Sequence, residues 1–205
     1  MRTERGLTVI ELMIALAVVA VLATLAAPSL YDFILVQRLK SINAQLVTDM
    51  QFARSEANSH FERRADNANL SVDVQVMFSP ATSSGTMSCY SIYTDTSPNP
   101  RYKCDCTQPP GQRCTATTTR EIRTVQIPTN LGVRQALPSN QARGFAYLSA
   151  TGGIRIWPVD VSSDPANFRV ETGIDDSRKL RTTIGLSGRP TVCSPGGTIT
   201  GSTPC

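Results

Sequence analysis

From Leu7 to Leu30 the chain is almost wholly Leu, Ile, Val, Ala and Met, interrupted by one carboxylate, Glu11, and preceded by a short leader, Met1–Gly6, that carries Arg2 and Arg5. About 20 apolar residues let a helix cross a bilayer. Basic residues before the run and none straight after it orient it with the N-terminus inside and the rest of the chain outside. Ala26-Ala27-Pro28-Ser29 superficially offers the small-residue cut that ends a secretory signal. Two features oppose that reading: helical periodicity continues through the site, and a carboxylate such as Glu11 costs ~3 kcal/mol at the bilayer centre. The segment therefore reads as a retained anchor, and the rest of the fold is organised around it.

Beyond Pro28 the apolar residues Leu35, Leu39, Ile42, Leu46, Met50, Ala53 and Ala57 recur at steps of three or four. Gln37, Lys40, Ser41, Gln45, Thr48 and Gln51 fill the other side, which predicts an amphipathic helix. The whole helical stretch exceeds what a bilayer requires, so its second half is expected to pack on a folded head. Pro28, inside the run, removes a backbone donor and clashes with the preceding turn, predicting a kink or a melted turn. His60 lies near the expected helix end, where it meets the negative pole of the dipole as a solvated or capping residue.

After Asn69 the period changes to two. Val72, Val74, Val76 and Phe78 alternate with Asp73 and Gln75, as in a half-buried strand. Further strands are expected over Cys89–Thr94, Glu121–Ile127, Gly144–Ser149, Gly153–Trp157, Asn167–Glu171 and Lys179–Leu186, with Pro, Gly, Ser and Asn marking the turns. Pro98, Pro100, Pro109 and Pro110 make Asp95–Arg120 a long, surface-exposed loop. The fold class is α+β: a long N-terminal transmembrane and amphipathic helix packed on an antiparallel β-sheet head. Four regions follow, 1–6, 7–30, 31–61 and 62–205.

Six cysteines, at 89, 104, 106, 114, 193 and 205, all follow the apolar run, as in an exported, oxidised head. Cys104-Asp105-Cys106 and Cys114 lack paired CxxC spacing and supporting histidines, so disulfides are expected and a metal is not. Local order favours Cys193 with Cys205 and joins Cys89, Cys104, Cys106 and Cys114 among themselves; a strained Cys104–Cys106 bridge is excluded and the remaining pairings stay open. A Cys193–Cys205 link closes a loop with little capacity to order itself, worth ~3 kcal/mol in the chain-entropy model. With one histidine in 205 residues and no nucleophile, base or metal cluster at convincing spacing, neither catalysis nor a cofactor is expected. A net charge of +4, scattered along the chain, permits weak nucleic-acid binding without requiring it.

Gly6-Leu7-Thr8-Val9-Ile10-Glu11-Leu12 resembles the class III signal of type IV pilins and type II secretion pseudopilins, usually written GFTLIEL. Leu7 replaces the usual Phe and Val9 the usual Leu. The resemblance implies a pilin-like fold, cleavage between Gly6 and Leu7 by prepilin peptidase, and methylation of the new amino terminus. It also implies that Glu11 pairs with a neighbouring subunit's N-terminal amine and that Pro28 marks where the helix extends in the filament. The partners implied are other major and minor pilins and the inner membrane, with a periplasmic head that becomes extracellular once the pilus assembles.

Gln51-Phe52-Ala53-Arg54-Ser55-Glu56-Ala57 resembles the stretch, often similar to ARSEA, of the FimT/FimU minor pilins and GspH pseudopilins. Its resemblance implies a minor pilin that primes or tips a pilus, or alternatively a secretion pseudopilin. Pilins with a disulfide-bounded C-terminal loop support the Cys193–Cys205 pairing. Gly188-Arg189-Pro190-Thr191 carries the first half of the GRxR tail motif of DNA-binding FimT-like pilins, with Thr191 where the second arginine would stand. That half-motif makes Arg189 a candidate for nonspecific DNA contact in natural transformation, with Arg178, Lys179 and Arg181 as nearby helpers that strand alternation divides between faces.

Overall fold

A computed structural model describes residues 8–64, 72–80, 85–96, 103–139, 141–156 and 167–205. Gly6, Leu7, Pro98, Pro100 and Trp157 lie outside the described residues. The chain divides into two compact units, Met1–Gln37 and Arg38–Cys205.

One helix, α1 (Val9–Arg64), supplies the described part of the first unit and the opening of the second. In the first unit every described side chain from Val9 to Ile34 is exposed, apolar ones included. Among the described residues no single helix is long and apolar enough to cross a membrane, but Val9–Thr24 and Ser29–His60 meet the length and composition requirement together, as a pair bent at a break that contains Pro28.

In the second unit α1 buries Leu39, Asn43, Leu46, Met50, Ala53 and Ala57, a seam of alternating four- and three-residue steps. Ile42, expected in that seam, is only half-buried. Asn43 takes the seat because its Oδ1 accepts a hydrogen bond from the Thr182 hydroxyl at 2.9 Å, which removes the cost of burying an amide. Ala53 and Ala57, both fully buried, put almost no side chain between α1 and the surrounding core.

Nine strands follow among the described residues: β1 (Asp73–Ser79), β2 (Met87–Asp95), β3 (Thr119–Pro128), β4 (Arg134–Ala136), β5 (Gly144–Tyr147), β6 (Ile154–Ile156), β7 (Asn167–Gly173), β8 (Lys179–Gly185) and β9 (Pro190–Cys193). They make two antiparallel sheets, of order β3-β2-β1-β5-β6 and β4-β7-β8-β9. This α+β arrangement fits a pilin-like fold. Phe78, Tyr90, Phe145 and Phe168 join the helical seam in one core, with Phe145 and Phe168 ring centroids 4.8 Å apart. Strands β4 and β9 were not anticipated, since one is three residues long and the other opens on Pro190, a residue confined to strand starts and edges.

Two expectations need correction. Strand β1 is not half-buried in an alternating way, because Asp73 and Gln75 are buried along with Val74 and Val76. The 95–120 segment is not simply a surface loop either. Its base is buried at Cys104 and Cys106, and Cys106 is bonded to Cys89 of β2, while 107–112 stays exposed. The bridge carries the loop base onto the face of the sheet turned away from the core, and Gln126 of β3 donates its amide to the Cys106 carbonyl at 2.7 Å.

Candidate functional site

The N-terminal candidate is Glu11. Thr8 sits at the N-cap of α1: its N–H donates to Glu11 Oε2 at 3.4 Å, and its hydroxyl accepts from the Glu11 N–H at 3.3 Å. This Thr-x-x-Glu box satisfies two helix-end donors reciprocally and places the carboxylate at the positive pole of the helix. The spacing was readable in the sequence as a capping signal, separately from the implied pairing with another subunit.

The cysteines form Cys89–Cys106, Cys104–Cys114 and Cys193–Cys205. The C-terminal loop is tied at several points. Ile199 is buried, Lys40 of α1 donates to the Thr200 carbonyl at 2.7 Å, and Thr198 donates to the Ser177 carbonyl at 2.7 Å. The loop's order therefore comes from α1 and the β7–β8 turn as well as from its bridge.

A buried polar hub that sequence reading missed joins α1 to the sheet. Asp49, 1% exposed, accepts from the Tyr90 hydroxyl at 2.6 Å and pairs with Arg123 at 3.0 Å. Burial and the bond to Asp49 push the Tyr90 phenol far above its ordinary range. The seam spacing itself put position 49 beside Met50 on the inner side, but a carboxylate there gave no hydrophobic signal.

The four cations proposed for DNA contact fall into two groups. Arg178 pairs with Asp175 at 2.7 Å in the β7–β8 turn. Lys179 and Arg181, both on one side of β8, converge on Glu171 of β7 at 2.8 and 2.7 Å. Burial would raise the Glu171 carboxyl, but these two partners hold it below the usual range. All three cations are thus neutralised within the head. Arg189 is different: it is exposed and makes no hydrogen bond or ion pair among the described residues.

Arg189 does have a neighbour that its sequence surroundings hide. It lines an open groove of about 380 Å³ with Pro190 from the start of β9 and Gln51, Arg54, Ser55 and Asn58 from α1. Arg54 spends its Nε on the Gly152 carbonyl, at 3.0 Å, and pairs with no carboxylate among the described residues. Two turns make this approach possible. Gly188 has φ of 75°, and a Cβ there would collide with the Gly152 carbonyl oxygen. Gly188 is therefore the glycine that the crossing requires, and it delivers Arg189 beside the helix. In the larger hollow, about 720 Å³ within the disulfide loop, the cations are compensated, since Lys103 pairs with Asp95 at 3.0 Å and Arg113 with Glu121 at 2.8 Å.

Residues 1–27 match the prokaryotic N-terminal methylation motif. That match supports a type IV pilin-like or pseudopilin protein, of a kind generally structural rather than enzymatic, with other pilins and prepilin peptidase as implied assembly partners. The motif and the apolar N-terminal helix together fit inner-membrane anchoring and localisation to a pilus. No curated protein and no solved structure matches the chain significantly.

Proposed function

We propose that this chain is a minor pilin of the FimT/FimU kind, cut after Gly6, methylated at Leu7, and incorporated with other pilins into a complex that primes or tips a type IV pilus. The observation that carries the reading is the methylation motif over residues 1–27 joined, through the helix it begins, to a disulfide-bonded β head. A filament subunit needs both: an apolar helix left open for neighbours and a head complete within its own chain. Glu11 then exchanges its capping contact with Thr8 for the amine of an adjacent subunit, and Pro28 is where the helix yields on assembly. Glu11→Val is expected to leave cleavage and membrane insertion intact and to abolish incorporation, read by immunoblotting membrane and sheared-filament fractions. Normal incorporation would remove the assembly role of Glu11.

A GspH-like pseudopilin of type II secretion shares this architecture, and co-purification with pilus or secretion components separates the two. A DNA-receptor role at the pilus tip has one supporting observation, the exposed Arg189, which is unpaired among the described residues. It is weakened by Thr191, whose hydroxyl donates to the Thr183 carbonyl at 3.2 Å, and by the pairing of Arg178, Lys179 and Arg181 within the head.

A further inference from the structure

We infer that the groove between α1 and the start of β9 is a docking site for a protein partner's acidic segment, one that presents carboxylates flanked by apolar side chains. Arg113, Arg123, Arg155, Arg178, Arg181, Lys103 and Lys179 each pair with a carboxylate of the head. Arg54 and Arg189, like Arg38, Lys40, Arg134 and Arg143, pair with no carboxylate among the described residues, but these two come from positions far apart in sequence to line the same groove. Two arginines lining one groove with no carboxylate partner among the described residues make a site suited to an anion, and arginine's planar fork matches a carboxylate bidentately.

The surroundings favour protein over nucleic acid. Leu186, 59% exposed, lies in the turn that leads to Arg189, and Phe52, 40% exposed, stands one helical turn from Ser55 on the groove wall. Phe and Arg are among the residue types enriched at protein–protein interfaces, and exposed apolar surface near the groove adds to that character. A phosphodiester chain instead needs a track of cations, and the cations that would extend the track on β8 are already held by Glu171. Gln51, Ser55 and Asn58 supply neutral hydrogen-bonding groups suited to a peptide backbone. The groove lies wholly within the Arg38–Cys205 unit, so the proposal holds for a pilus or a secretion filament alike.

The test uses the full chain in detergent micelles and fluorescence anisotropy with three labelled probes: a short peptide of alternating Glu and Leu, its Lys and Leu counterpart, and a short mixed-sequence DNA duplex. The acidic peptide is expected to bind more tightly than either of the others. Arg54→Gln with Arg189→Gln is expected to weaken that binding about tenfold or more, at roughly one charge-assisted contact per arginine. Lys179→Gln with Arg181→Gln is expected to leave it unchanged. Arg54 also holds the Gly152 turn, so Arg189→Glu provides the variant that leaves that turn alone; it is expected to shift preference towards the Lys and Leu peptide. Failure to bind the acidic peptide, or binding indifferent to both arginine variants, overturns the proposal. Displacement of the peptide by duplex DNA acting through the same two arginines also overturns it and assigns the groove to nucleic acid.

Discussion

The two stretches of α1 use the same residue types in opposite ways. From Val9 to Ile34 its described side chains stand uncovered, including Leu16 at 61% exposure, and the Glu11 carboxylate is met locally by Thr8. From Leu39 to Ala57 the helix buries a continuous seam, and even its carboxylate at Asp49 is enclosed and paired with Tyr90 and Arg123. Each stretch finds its stability in a different place. The second is completed by its own chain, whereas the first presents apolar surface suited to lipid or other subunits.

The most severe way to break this contrast is to open the seam. Leu46 is fully buried among the core residues, so Leu46→Ala is expected to destabilise the head by about 3 kcal/mol, the sum of lost transfer energy and a residual cavity. Urea unfolding of the full chain in micelles, followed by near-ultraviolet circular dichroism, measures it. A loss near zero would mean that α1 is dispensable to the head and would dissolve the comparison.

A smaller effect of opposite sign tests how complete the head is. Gln135 of β4 is 2% exposed, and among the described residues neither side-chain amide atom has a partner; Thr172, its cross-strand neighbour on β7, has an equally unsatisfied hydroxyl. The Gln135 backbone N–H, by contrast, is served by the Ser88 hydroxyl at 3.0 Å. Burying an amide without hydrogen bonds costs more than burying an apolar group of the same shape. Gln135→Met keeps the length and the backbone bond and is expected to stabilise the head by about 1 kcal/mol in the same unfolding assay. A loss of stability instead would show that the amide is served in solution.

Which features were legible in the sequence follows from the range over which each is determined. The apolar run, the seam from Leu39 to Ala57 and the Cys193–Cys205 pairing depend on residues near one another in the chain, and all could be read from spacing. Asn43 displaced Ile42 because of Thr182, and Asp49 is buried because of Tyr90 and Arg123; no periodicity carries such distant partners. The Cys89–Cys106 bridge likewise depends on where the loop base returns to β2. The candidate site shows the same division. Arg189 stood out through Gly188-Arg189, but its partner Arg54 is set by the meeting of two glycine turns against α1, and the pairing of Lys179 and Arg181 with Glu171 required the β7–β8 register.

The smallest expected effect is the most informative about the helix. Leu16→Ala makes the same chemical change as Leu46→Ala, yet Leu16 lies in the Met1–Gln37 unit and is mostly exposed. Truncating a side chain that the folded chain leaves uncovered removes little native contact, so the head's unfolding free energy is expected to stay within about 0.5 kcal/mol of the parent. The lost apolar area belongs instead to whatever surrounds the first unit: removing three carbons of aliphatic surface weakens partition into an apolar phase by about 2 kcal/mol, at roughly 0.8 kcal/mol per methylene. Detergent extraction or filament incorporation should therefore respond where head unfolding does not. If Leu16→Ala and Leu46→Ala destabilised the head equally, the first stretch would be a folded part of the head, and its open apolar surface would no longer call for lipid or a neighbouring subunit.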